Sequence, residues 1–334
     1  LTIRERLEEN EKEILSPYAT LSVNTRGRLR EEEQCDIRPV FQRDRDRILH
    51  CKSFRRLKDK TQVFLTPDGD HYRTRMTHTL EVSQNARTIA KALHLNEDLV
   101  EAIALGHDLG HTPFGHAGER ALNSICPLGF KHNEQSLRTV DILEKDGQGM
   151  NLTFEVRDGI LNHQTEGNPA TLEGKIVRLS DKIAYIHHDM DDAIRGQILT
   201  EDDIPAEISE VLGSTCGERL DHFIHDIITH SLGKDDIRMS PPVADAMKKL
   251  RHFMFIHVYQ NPVAKGEEGK AEGLVETLYE YYLRHIDKLP ADLLALLDQG
   301  EYRERIVCDY ISSMTDRFAR AQYEELFIPK SWHY

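Results

Sequence analysis

The stretch "AIALGHDLGHTPFGHAGE" (residues 102 to 119) begins as a buried helix and then fills with glycine, histidine and acid. Three histidines, an aspartate, a glutamate and four glycines stand where the helix would otherwise continue. The segment leading into it, "NEDLVEAIALGHD", offers Asn96 as a cap and Leu99, Val100, Ile103 and Ala104 as an apolar face. Gly110 and Pro113 then stop the helix. Such a place is either an ordinary helix end with polar residues or the lip of an active site.

Helical spacing recurs on both sides. From Thr77, apolar residues fall at Leu80, Val82, Ala86, Ile89, Ala90 and Leu93, a stripe that one helix can bury. "HNEQSLRTVDILEKDG" opens with Asn133 as a cap and closes at Gly147, and Thr153 caps a short helix through His163. The clearest helix runs from Leu172 to Ile194, with Ile176, Leu179, Ile183, Ile186, Met190 and Ile194 on its core face and Gly196 as a stop. "PVAKGEEGKAEG" (262 to 273) reads as a polar, Gly-rich loop; "LVETLYEYYLRHI" and "YRERIVCDYISSMTDRFARAQYEELF" read as helices. Strand alternation is confined to short pieces such as "TQVFL" (61 to 65). The spacing predicts an all-α fold. It divides into an N-terminal arm (1–45), a central helical bundle (46–200) and a C-terminal helical region (201–334) packed on that bundle.

Composition narrows the classes. The chain has 334 residues, 39% hydrophobic and 30% charged, which is enough to bury a sizeable core. A net charge of -14 argues against a general nucleic-acid binder, so single-stranded DNA is not indicated as a partner. It leaves a polyphosphate ligand open, because a metal and a few placed cations can dominate locally. No run of about 18 apolar residues suggests a membrane span. The start, "LTIRERLEENEKEIL", lacks the apolar core of a signal peptide. Five scattered cysteines read as reduced thiols, and together these features place the protein in the cytoplasm.

The dipeptide His-Asp occurs three times, at 107–108, 188–189 and 225–226, and one or two are expected by chance. Only His107-Asp108 sits where a helix ends in a Gly-rich loop. One helix earlier comes His78; later comes Asp181, off the apolar stripe of its helix. Two imidazoles and two carboxylates suit a hard divalent ion working on phosphate, and leave roughly two of six octahedral positions open. Taken singly, His78 reads as a cap or surface residue and Asp181 as a solvated helix residue. In "DHFIHDIITH" (221 to 230), Ile224, Ile227 and Ile228 form a core stripe, with His222, His225 and Asp226 on the wet side. No cysteine joins the four residues, which argues against structural zinc.

"RTRMTHTLEV" (73 to 82), "LGHDLGHTPFGHAGE" (105 to 119), "HNEQS" (132 to 136) and "LSDKIAYIHHDMDD" (179 to 192) together resemble the bacterial deoxyguanosine triphosphate triphosphohydrolases, a branch of the HD-domain metal-dependent phosphohydrolases. "VFQRDRDRI" (40 to 48) and "FRRLKDKTQVF" (54 to 64) belong to the same pattern, with Val40 where the family has proline. The likeness runs in order from about residue 18 to about 200. Beyond that only the helical character fits.

The resemblance implies an HD-domain core over 46–200 and His78, His107, Asp108 and Asp181 as ligands of one divalent ion, of the Mn, Mg, Co, Ni or Fe kind. It implies hydrolysis of a deoxynucleoside triphosphate (dNTP) to deoxynucleoside and triphosphate by water attack on the α-phosphorus. His116 and Glu119, three apart, would meet on a helical turn starting after Gly115. Glu119 would orient the ring, and His116 would serve as acid to the leaving oxygen or base to water. The bland reading of that pair is a first-turn acid at a helix N-terminus. His111, His132, Arg75 and Lys182 are implied phosphate contacts. Tyr185, Asp189 and Gln62 are implied sugar contacts, with Tyr185 closing the space a 2′-hydroxyl would need. The resemblance also implies a homo-oligomer and leaves a nucleotide activator open. Other HD enzymes, a 5′-deoxynucleotidase or a cyclic-nucleotide phosphodiesterase, need the ligands but not Arg75, His116, Glu119, Tyr185 and Asp189. A non-catalytic nucleotide- or single-strand-binding protein would not need all four ligands.

Overall fold

The computed structural model describes residues 1–62, 73–260 and 262–330, with side chains described outside 262–266. Its helices, in chain order, are α1 (Ile3–Ile14), α2 (Val40–Leu49), α3 (Lys52–Arg56), α4 (Arg75–Ala92), α5 (Glu97–Gly106) and α6 (Gly115–Ile125). Next come α7 (His132–Arg138), the one-turn α8 (Glu144–Gly147), α9 (Phe154–Leu161), α10 (Leu172–Arg195), α11 (Ala206–Leu212) and α12 (Cys216–Ser231). The last are α13 (Pro241–Met254), α14 (Pro262–Arg284), α15 (Ala291–Asp298), α16 (Arg303–Ser312) and α17 (Asp316–Phe327). Among the described residues β pairing is limited to two isolated bridges, Arg28–Thr153 and Thr61–Thr74. The fold is all-α, as the spacing predicts. Thr61 and Gln62 of "TQVFL" are described; its remaining residues, 63 to 65, lie outside the described residues. Among the described residues no helix is long and apolar enough to cross a membrane.

The chain forms two compact units that interleave in sequence. The first takes residues 1–50, 77–107 and 151–262; the second takes 51–76, 108–150 and 263–334.

The first unit is built around Phe41, Ile89, Leu99, Ile103, Ile160 and Ile183, all fully buried. Two glycines let α5 and α9 approach closely. A Cβ on Gly106 would stand 2.6 Å from Ile160 Cδ1, and one on Gly159 would stand 2.5 Å from Ile103 Cδ1. Buried carboxylates act as joints. Glu173, on α10, accepts from the backbone N–H groups of Thr20 and Asn96. Asp44 accepts from the N–H and hydroxyl of Thr153.

Several expectations need correction here. Leu80 is 49% exposed; it lies about 200° around α4 from the buried Val82, by the 100° step of a helix. On α10, Leu179 and Ile194 are half-buried, while Val177 joins the buried face. Thr153 stands at the N-cap position of α9 but makes no side-chain cap, because its hydroxyl is taken by Asp44. Asp226 is buried rather than wet: it accepts from the Ser240 N–H at the start of α13 and pairs with His230 at 3.1 Å. Asn96 caps α5 as expected, accepting from the Leu99 N–H.

The second unit packs Phe114, Leu122, Phe130, Leu278, Tyr279 and Ile306 into one cluster. Asn133 is inside α7, whose N-cap position is Lys131. The segment to Gly147 is not one helix: α7 widens into a π turn (Thr139–Leu143), and Lys145 and Asp146 are left-handed. Residues 262–273 belong to α14, not to a loop. Glycine costs about 1 kcal/mol per helical position. Its Glu, Lys and Ala neighbours are strong helix formers, and Arg120 bridges Glu268 and Glu272, one turn apart.

Candidate functional site

In the first unit, three side chains converge from three helices. His78 Nε2, from α4, lies 3.0 Å from Asp181 Oδ1 on α10. His107 Nε2, at the C-cap of α5, lies 3.6 Å from the same oxygen. Both histidines are buried, so His78 is neither a surface residue nor a cap. The other nitrogen of each ring is already used. His107 Nδ1 donates to the Ala104 carbonyl at 2.7 Å. His78 Nδ1 meets His188 Nδ1 at 3.3 Å, and His188 Nε2 pairs with Glu81. Burial raises the Asp181 carboxyl, but hydrogen bonds from His107 and His78 outweigh it and hold the pKa well below the ordinary range.

This donor set fits a divalent ion. Ligands about 2.1 Å from an octahedral ion and at right angles stand about 3 Å apart, close to the spacing of these atoms. Ring nitrogens facing away from an ion are normally engaged by a second partner, as both are here. His188 and Glu81 were not singled out from the sequence. His163, whose ring packs edge-on to His107 at 5.0 Å, was read only as the end of a helix.

Farther along α10, Tyr185 stacks on Tyr259 with ring centroids 5.8 Å apart, and fully buried Asp189 accepts from the Tyr259 hydroxyl. Burial, then the charge of Asp189, push the Tyr185 phenol well above its usual range. Tyr259 lies in a π turn (Phe255–Tyr259) whose sequence carries no motif. Lys182 is half-buried and pushed down to about 8, mainly by burial and then by Arg178 and Arg251.

In the second unit, Asp108 accepts from Arg75 Nη1 at 2.7 Å, both side chains being buried. Arg75 is thus held by a carboxylate. Gln62 is buried, and its Oε1 has no hydrogen-bond partner among the described residues.

A histidine cluster sits at the start of α6 and α7. Glu119 Oε2 faces His116 Nδ1 at 3.0 Å, and Oε1 takes both the His132 Nδ1 at 2.8 Å and the His132 backbone N–H at 2.8 Å. Burial raises the Glu119 carboxyl, but the hydrogen bonds from His116 and His132 hold it far below the ordinary range. It is a carboxylate throughout the neutral range. His111 stacks on His132 with centroids 4.3 Å apart and is fully buried. Burial, then Arg75 and His132, push it well below its usual pKa. His116 remains about half exposed.

The turn before α6 explains the glycines. Phe114 takes a left-handed φ of 62° and Gly115 one of 58°. The Phe114 N–H is held by Asp316 at 2.9 Å. A Cβ on Gly110 would stand 2.1 Å from the Ser136 nitrogen, and one on Gly118 would stand 2.1 Å from the Pro113 oxygen. These two glycines therefore let one protein segment pack on another.

Residues 75–186 match the HD domain, and residues 237–325 match the phosphohydrolase-associated domain. The second match covers the region beyond residue 200, where the motifs offered only helical character. A deoxyguanosinetriphosphate triphosphohydrolase-like protein of Caldanaerobacter subterraneus subsp. tengcongensis is 56% identical over 99% of this chain and 98% of its own. One from Clostridium tetani is 46% identical over 99% of this chain and 97% of its own. A phosphohydrolase from Bacteroides thetaiotaomicron is 17% identical with a TM-score of 0.52, covering 84% of this chain and 67% of that one; this likeness concerns the fold. HD domains bind divalent metal ions, and the His78, His107 and Asp181 donors are of the kind that could hold one. The chain belongs to the deoxyguanosinetriphosphate triphosphohydrolase-like family of HD-domain phosphohydrolases.

Proposed function

We propose that the protein hydrolyses a deoxynucleoside triphosphate to a deoxynucleoside and intact triphosphate. The observation that carries this reading is the approach of Asp181 Oδ1 to His78 Nε2 and His107 Nε2, at 3.0 and 3.6 Å. With Asp108, the residue after His107, these would hold one divalent ion. Such an ion supplies Lewis-acid charge at the α-phosphoryl oxygens and lowers the pKa of a bound water.

The remaining chemistry falls to the chain's own residues. Water oxygen bonds to the α-phosphorus, and the bond from phosphorus to the 5′ oxygen breaks. The 5′ alkoxide is a poor leaving group and needs a proton. His116, with Nδ1 held by ionised Glu119, carries that proton on Nε2 in this scheme. His111 and His132 bind phosphate oxygens, and Lys182 adds a cation from α10. Arg75 holds the Asp108 carboxylate in place and adds positive charge beside it. Tyr185 stacked on Tyr259 makes a rigid wall against the deoxyribose, Asp189 accepts from its 3′-hydroxyl, and Gln62 is a further sugar contact. A 2′-hydroxyl would meet that wall, which supports selection for deoxynucleotides.

Chromatography of the products tests the reading. Each dNTP is incubated with the protein and Mn²⁺, Mg²⁺ or Co²⁺, with and without a second dNTP. Deoxynucleoside and intact triphosphate are expected in equal amounts. Orthophosphate released from a deoxynucleoside monophosphate, with no triphosphate from any dNTP, would point to a 5′-deoxynucleotidase. Tight dNTP binding without turnover would point to a non-catalytic binding protein.

A further inference from the structure

The second unit contains a cavity of about 700 Å³, within the range of small-molecule sites. Its charge runs against that of the whole chain, which has 57 acids to 43 bases. Lys52, Arg56, Lys60, Lys145 and Arg317 all line it. Lys52 and Arg56 stand one turn apart on α3, and Lys60 follows the short 3-10 turn Leu57–Asp59.

Most acids on the lining are already committed. Glu144 accepts from the Ser53 N–H and hydroxyl, Asp146 pairs with Lys52, and Asp309 is held by Arg138 and Gln135. Three cations are not. Arg56, Lys145 and Arg317 have no hydrogen-bond or ion-pair partner among the described residues, and Arg56 is half-buried. Against them stands Asp292 as the lining acid without such a partner.

The floor and rim are built at a cost. Lys60 is 2% exposed and spends its ammonium group on the carbonyls of His111 and Ser312, at 2.5 and 2.7 Å. Burial, then the nearby Arg56 and Arg75, push it down to about 7 against the opposing pull of Asp316 and Asp108. On the rim, Lys145, Asp146 and Gly147 are left-handed in succession, with φ of 55°, 56° and 87°. Non-glycine residues held there cost on the order of 1 kcal/mol or more each, and such strain gathers at ligand sites. Leu109, Leu143, Leu293, Met314 and Phe318 add an apolar wall to the same lining.

We propose that this cavity binds a small phosphorylated molecule, its phosphates held by Arg56, Lys145 and Arg317 and its apolar part lying on the leucine and phenylalanine wall. The inference does not depend on the reaction proposed above. Lys60 couples the cavity floor to the backbone of His111, so the ligand would sit one side chain away from the histidine cluster.

Calorimetric titration of the full-length chain with inorganic tripolyphosphate tests it, in buffer without divalent ions so that chelation does not contribute. Saturable binding of tripolyphosphate at this cavity, beside any at the phosphate contacts proposed above, is expected in wild type and, unchanged, in Asp181→Asn. Arg56→Ala/Arg317→Ala should weaken it more than tenfold, since two charge-assisted contacts are lost. Arg56→Lys should stay within about threefold. No saturable binding, equal affinity in the double variant, or loss of binding in Asp181→Asn would each overturn the proposal. If the double variant fails to melt cooperatively, Lys145→Ala on the exposed rim replaces it. A loss of at least threefold there supports the site, and wild-type affinity overturns it.

Discussion

Replacing Glu119 by glutamine separates the catalytic reading of the histidine cluster from a structural one. The carboxylate accepts three hydrogen bonds: from His116 Nδ1 on one oxygen, and from His132 Nδ1 and the His132 N–H on the other. An amide keeps one acceptor oxygen and puts an NH₂ where the second stood. If its oxygen stays with His132, two bonds survive and His116 faces a donor. One charge-assisted bond is then lost, nominally about 1.5–3 kcal/mol. His116 is 48% exposed in its side chain, so water replaces much of that and the stability loss should be about 1 kcal/mol. The effect on chemistry should be larger, because an unoriented imidazole forfeits general acid–base catalysis, about 10²-fold.

The assay is triphosphate release at saturating dNTP, alongside metal content by atomic emission and thermal melting. Turnover should fall about 10²-fold with metal content unchanged. Turnover within about threefold of wild type would remove the Glu119–His116 pair from proton transfer. Acid titration gives a second readout. Glu119 is held far below its ordinary value of 4.5, so its stabilisation is present above that pH and fades as pH falls below it. Wild type should therefore lose more stability than Glu119→Gln on acidification through that range.

Other outcomes follow from the same geometry. His107→Ala and Asp108→Ala should each abolish metal content and turnover together, read by atomic emission and product release; a metal-replete inactive variant would contradict the ligand assignment. Tyr185→Ala should lower the dNTP-over-NTP ratio of kcat/KM about tenfold, the scale of one lost steric contact, and an unchanged ratio would dismiss the steric wall. Gly118→Val should destabilise by about 1–3 kcal/mol in denaturant melts, because its Cβ would stand 2.1 Å from the Pro113 oxygen. Lys60 is pushed from 10.5 down to about 7, so between those values the unfolded chain binds the extra proton and stability rises with pH. From pH 7 to 9 wild type should gain about 2 kcal/mol relative to Lys60→Met, at roughly 1.4 kcal/mol per unit; a flat difference would contradict a neutral buried lysine.

The helices around the candidate site were legible because their signals are local. Asn96 caps the helix that ends at His107. Reading failed where a tertiary partner overrides local preference. Asp226 looks like a solvated helix residue until the start of α13 presents the Ser240 N–H to it. Residues 262–273 look like a loop because glycine is frequent, yet α14 includes them and its Glu268 and Glu272 engage Arg120.

The candidate residues divide in the same way. Residue type and order along the chain were enough to single out His78, His107, Asp108 and Asp181, because the chemistry of a divalent ion narrows the choice of side chains. Partners that approach from distant segments carry no local signature: His188 behind His78, His163 against His107, Tyr259 beside Asp189, and Asp316 on the Phe114 turn. Most of the helices and the Asn96 cap could be read from the chain alone, since each depends on neighbours within about a turn. Which nitrogen of each histidine is engaged, which carboxylate is buried and which cations are left uncompensated were decided by tertiary packing, because those depend on distances between residues far apart in the chain.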